Sequence, residues 1–190
     1  MLKLEIEMDQ YFPLIIITSL RLLIPLIILR KPFLGGLASF LLDFADLGFL
    51  NLFGIEYYDF PPYQLWDKIL DMYYLFLAFY VSLSWHNPVT RKTSIILFLH
   101  RLLGFILFLV TRRDLFLFLL PNVFEYFYLY YLGYLFLFKN DPFTSFRKLA
   151  VPVFIIIGAK IIQEYVLHIG RQPVWQWVKT LGQSLVNAIR

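Results

Sequence analysis

Stretches of about twenty apolar residues, each closed off by Arg, Lys, Pro, Asn or His, recur between residues 11 and 169, and this recurrence constrains the fold more than any other feature. A helix needs roughly 20 such residues to cross the hydrocarbon of a bilayer. In lipid every backbone N–H and C=O must find a partner within the protein, and an α-helix supplies those partners inside one segment. The expected fold is therefore all-α: a polytopic integral membrane protein built as a bundle of about six transmembrane helices over residues 11–29, 33–53, 65–85, 93–110, 115–138 and 149–169. These form one domain over residues 1–170, followed by an interfacial amphipathic helix over 171–190, where Trp175 and Trp177 alternate with Val174, Val178, Leu181 and Leu185.

Composition agrees with a membrane setting. Only 16% of residues are charged, against about 25% in soluble domains, and mean hydropathy is +0.69. Glu5, Glu7 and Asp9 precede the first apolar run, so that run reads as a retained span rather than a cleaved signal. With no cysteine, disulfides, thiolate metal sites and a cysteine nucleophile are excluded. The net charge of +4 is dispersed at segment boundaries rather than gathered in a stripe, so nucleic-acid binding is not expected. The expected location is a prokaryotic-type cell membrane, crossed several times. Lys and Arg divide seven to six between the two sets of loops, which leaves the orientation open.

Within this apolar chain stand four carboxylates, Asp43 and Asp46 near the end of the second span and Asp67 and Asp71 at the start of the third. Spacings of i,i+3 and i,i+4 put each pair on one face of a helix. A single charge at the bilayer centre costs at least about 2.5–3.5 kcal/mol, so such residues face the bundle interior and mark functional sites. With alternating spans, Asn122 and Glu125 enter the fifth span from the same side. Glu164 and His168 leave the sixth toward it, with Lys160 one turn earlier, and Arg21 and Arg101 sit near mid-depth. The expectation is a polar cavity opening to one face, holding a charge network of Arg21, Lys68, Arg101, Asn122, Glu125, Lys160, Glu164 and His168 around the four aspartates.

The arrangement Asp43-x2-Asp46 followed by Asp67-x3-Asp71, in the setting "YQLWDKILDMYYL", resembles the CDP-alcohol phosphatidyltransferases over about residues 14–80. That family carries D-x2-D-G-x2-A-R and then G-x3-D-x3-D; here Leu47 stands at the first glycine position and Gly48 follows it. The resemblance implies transfer of a phosphatidyl or substituted phosphate group from a CDP-linked lipid to a hydroxyl acceptor. It implies that Asp43, Asp46, Asp67 and Asp71 hold Mg2+ or Mn2+, and that Asp71 is the catalytic base. Membrane lipids and a CDP-lipid substrate are the implied partners, and a homodimer is compatible.

Two other readings stand beside it. Lys160, Glu164 and His168 repeat at i,i+4, the pattern of a proton relay in a small transporter or channel. Alternatively, Arg21, Lys68 and Arg101 pair with the aspartates in a noncatalytic membrane protein. His86 and His100 lack a second histidine at metal-binding spacing and read as packed or interfacial side chains.

Overall fold

The computed structural model describes residues 2–52, 63–113, 115–141 and 143–164, and helices account for nearly all of them, with no strand among the described residues. In chain order these are α1 (Leu2–Leu23), a 3-10 segment (Ile24–Leu29), α2 (Pro32–Leu52), α3 (Tyr63–Ser82), α4 (Pro88–Thr111), α5 (Leu115–Leu119), α6 (Val123–Phe138) and α7 (Phe146–Glu164). Among the described residues three stretches are long and apolar enough to cross a membrane: Phe12–Leu29, Pro88–Thr111 and Leu115–Phe138. The expected interfacial helix over 171–190 and the end of the sixth expected span lie outside the described residues.

Several boundaries differ from the sequence reading, each for a local reason. The helix expected from residue 11 begins at Leu2, and at Ile24 it tightens into a 3-10 segment that runs to Leu29. Pro25 has no N–H to offer the carbonyl one turn back. Tyr73, reaching over from α3, donates its hydroxyl to the Leu22 carbonyl at 3.0 Å. The helix expected from residue 93 starts at Pro88, because the Asn87 side chain accepts from the Val89 and Thr90 N–H groups and Pro88 needs no donor in the first turn. The fifth expected span is two helices, α5 and α6, separated by Leu120–Asn122, and Asn122 caps α6 through the Glu125 N–H. α7 begins at Phe146 rather than at 149.

Two apolar clusters hold the bundle together. The larger joins α3, α4 and α6: Phe79 stacks on Phe98 with centroids 4.1 Å apart, and Trp85 packs against Tyr131 at 4.5 Å and Tyr128 at 5.8 Å. Where helices are bathed in lipid, burial from water contributes little and close packing and interhelical hydrogen bonds carry the association. Ser94 of α4 makes one such bond to Ser82 at 2.5 Å. The smaller cluster, Ile17 and Leu50 with Leu14, Leu42, Phe49 and Trp66, joins α1, α2 and α3. It lies against the charged site.

A polar knot ties α4 to the α6–α7 connection. Asn87 Nδ2 donates to Asp141 at 2.8 Å and to the Phe143 carbonyl at 2.8 Å, while Tyr131 donates to Asp141 at 2.7 Å. Burial works against the Asp141 charge. The donors Tyr131, Asn87 and the Phe143 N–H outweigh it and hold the carboxyl below its ordinary value of 3.8. A depressed carboxyl contributes stability above its unfolded-state pKa and loses that contribution as pH falls through its folded-state value. Asp141→Asn is therefore expected to unfold at a lower temperature than the parent at pH 7. The gap should narrow as pH drops below about 4, which thermal unfolding across a pH series in detergent will read.

Candidate charged site in the bundle

Arg21 on α1 is the centre of the site. Its position one turn before the 3-10 segment turns it away from lipid, and it is 4% exposed. From there the guanidinium reaches all four aspartates. Nη1 donates to Asp46 and, at 2.6 Å, to Asp67; Nη2 donates to Asp43 at 2.5 Å and Asp71 at 2.6 Å. The planar fork of arginine lets each terminal nitrogen serve two carboxylates, which a point charge does less well. Trp66 covers the cation, its ring centroid 5.6 Å from Arg21 Cζ.

Lys68 closes the other side of α3, with Nζ 2.7 Å from Asp67 Oδ2 and 3.2 Å from Asp71 Oδ2. Asp46 is the most deeply buried of the four and Asp43 the least. The i,i+3 and i,i+4 spacings did what the sequence analysis expected, presenting both pairs to one point. The space at that point is taken by Arg21 itself. The cavity beside Arg21 and Asp43, lined also by Ser39 and Tyr74, measures about 10 Å³, roughly the size of one water molecule.

The remaining members of the expected network lie nearby. Arg101 is buried on α4 within electrostatic reach of Lys68 and Asp71, and buried Glu125 is within reach of Asp71, Lys68, Arg21 and Lys160. Asn122 donates to Glu125 Oε2 at 2.7 Å, and Lys160 Nζ sits 5.1 Å from the centroid of Tyr126. Glu164 ends α7, its side chain outside the described residues, as is His168. Thr18 and Ser19, the polar neighbours of Arg21, spend their hydroxyls on the Leu14 and Ile15 carbonyls.

Chemically, the site is a set of hard oxygen donors already bound to cations. Asp43, Asp46 and Asp67 each offer an oxygen within 4.8 Å of the others, a spread compatible with a metal ion. Magnesium and manganese take such carboxylates together with substrate phosphates. Arg21 and Lys68 bond the four aspartates, and Arg101 stands within electrostatic reach of Asp71, so cations of the chain already meet much of the carboxylates' charge. The donor set thus fits a divalent ion in its chemistry, provided Arg21 yields its place.

Pro25 marks an interruption of the first span in the sequence, and the structure shows it as the 3-10 segment after Leu23; the role of Trp66 went unread. Trp66 adjoins Asp67, but adjacency on a helix does not say which ring will cover which cation. No family model, curated protein or solved structure matches the chain.

Proposed function

We propose that the protein is a multi-pass enzyme of a prokaryotic-type cell membrane that transfers a substituted phosphate from a CDP-linked lipid to a hydroxyl acceptor, with the aspartate tetrad as its centre. The observation that carries this reading is the convergence of two carboxylate pairs from two helices on one point. The six crossings are assigned to α1 with its 3-10 segment, α2, α3, α4, α5 with α6, and α7, and the tail over 171–190 to the membrane interface.

In this reading Asp43, Asp46 and Asp67 hold Mg2+ or Mn2+, which when bound neutralises charge on the diphosphate. Arg21 keeps the carboxylates gathered until ligand arrives, then turns aside. The acceptor oxygen forms the new bond to phosphorus, cytidine monophosphate leaves, and Asp71 takes the hydroxyl proton. Its Oδ2 is the atom to do so, because the Lys68 contact at 3.2 Å is the longest of the six in the site. A cavity of about 10 Å³ admits no nucleotide, so binding requires α1 to move relative to α2 and α3.

A second reading is supported by the same ion pairs: every one of the four aspartates already accepts from Arg21, the arrangement of a structural charge hub in a noncatalytic protein. Thermal unfolding of the purified protein with Mn2+, with a CDP-lipid and with both separates the two. The enzyme reading predicts stabilisation that needs both ligands, about 2.7 kcal/mol at a hundredfold excess over Kd, and that is lost in Asp67→Asn. A well-folded protein that shows no shift with both ligands leaves the structural hub.

A further inference from the structure

We infer that the protein binds an uncharged long-chain alcohol in an apolar cavity between α4, α5, α6 and α7, apart from the aspartate tetrad and independent of how the tetrad is read. The cavity has a volume of about 340 Å³ and is walled by Ile96 and His100 of α4, Phe118 of α5, Val123 of α6, and Ile157 and Ile161 of α7. Sites for small organic ligands run from about 300 to 1,000 Å³ and are mostly apolar with a few polar groups that fix orientation. The break at Leu120–Asn122 borders the space, with Phe118 and Leu119 before it and Pro121 and Val123 at or after it in the wall.

The medium around the cavity selects its occupant. Pro88–Thr111 and Leu115–Phe138, which supply much of the wall, are both long and apolar enough to cross a membrane, so what reaches the mouth is lipid. Among the described residues no Lys, Arg, Asp or Glu lines the cavity, so they offer a phosphate or amine headgroup no counter-charge. The polar ring in the wall is His100. Its Nδ1 is enclosed without a hydrogen-bond partner and the ring is half-buried, so Nε2 is the nitrogen left for a ligand. Neutral imidazole offers a donor or an acceptor there according to tautomer, and a hydroxyl satisfies either. An acyl or isoprenoid body fills the apolar space, and its alcohol meets His100.

The test is photolabelling in lipid nanodiscs with a long-chain alcohol carrying a diazirine in its tail, mapped by mass spectrometry. Labels are expected on the peptides that contain Ile96 to His100 and Ile157 to Ile161. Unlabelled alcohol should compete roughly three- to tenfold better than the alkane of equal length, the worth of one hydrogen bond. His100→Leu should erase that preference while leaving labelling in place. Ile157→Trp, which fills the cavity from its half-buried rim, should abolish labelling. Equal competition by the alkane, or labelling that persists unchanged in Ile157→Trp, would overturn the inference.

Discussion

Arg21→Met is expected to be the most damaging single substitution in the charged site, leaving little monodisperse protein after extraction in mild detergent. Removing one partner of a buried ion pair costs about 3–5 kcal/mol, because the other charge is left without compensation. Here one guanidinium bonds four carboxylates, so the loss falls at the upper end of that range or beyond it, comparable with the whole stability of an ordinary domain. Arg21→Lys should lie between methionine and the parent: the charge survives, but three donors on one nitrogen cannot span four carboxylates. Neutralising an aspartate has a different expected sign. Asp43→Asn removes one of four closely spaced negative charges, at the most exposed of the four positions, at 32%, and should change the unfolding temperature little or raise it. Extraction yield and thermal unfolding of the three variants give this order directly.

Gly35→Ala is expected to destabilise the protein by about 3 kcal/mol, the high end of overpacking costs. A Cβ at Gly35 would lie 2.3 Å from the Ile28 nitrogen and 2.7 Å from the Ile27 carbonyl carbon and the Ile28 Cα. All three are backbone atoms, so no rotamer change relieves the clash. The 3-10 segment and α2 must instead separate. That separation would also draw Arg21, at the end of α1 that leads into the 3-10 segment, away from Asp43 and Asp46 of α2. Gly158→Ala on α7 is the control: a Cβ there meets nothing within 4 Å, and the exchange should be neutral or slightly favourable, since glycine within a helix is less stable than alanine. Unfolding of both variants in one detergent isolates the close approach from the general effect of losing glycine.

The helices and the site were legible in the sequence to different depths. Apolar segment length anticipates the helices, three stretches of which among the described residues are long and apolar enough to cross a membrane, because backbone hydrogen bonding in lipid leaves few alternatives. The i,i+3 and i,i+4 carboxylates locate the site, because spacing on a helix fixes a shared face. Hydropathy fails where capping decides. The five residues from Pro88 to Lys92 are polar enough to resemble a loop, yet Asn87 and Pro88 start a helix there. It fails again at Pro121 and Asn122, where mean apolarity carries one span across a break that separates two helices.

Inside the site, the sequence names Arg21 as one cation among several. That it is the hub follows from where the chain tightens after Leu23, which Pro25 marks, and from how closely α2 passes Ile28 at Gly35, which leaves no mark in composition or periodicity. Trp66 is similar: its place over Arg21 depends on the rotation of α3 against α1.

The most direct test of Arg21 as the common counter-ion is rescue. Each of Asp43→Asn, Asp46→Asn, Asp67→Asn and Asp71→Asn is combined with Arg21→Met, and the yield and unfolding temperature of the monodisperse protein are measured beside those of Arg21→Met alone. If one guanidinium holds all four carboxylates, each added neutralisation restores folded protein, most strongly at the deeply buried Asp46. Double variants no better than Arg21→Met alone, at all four positions, would contradict the shared hub and show that Arg21 serves the fold by some contact other than these aspartates.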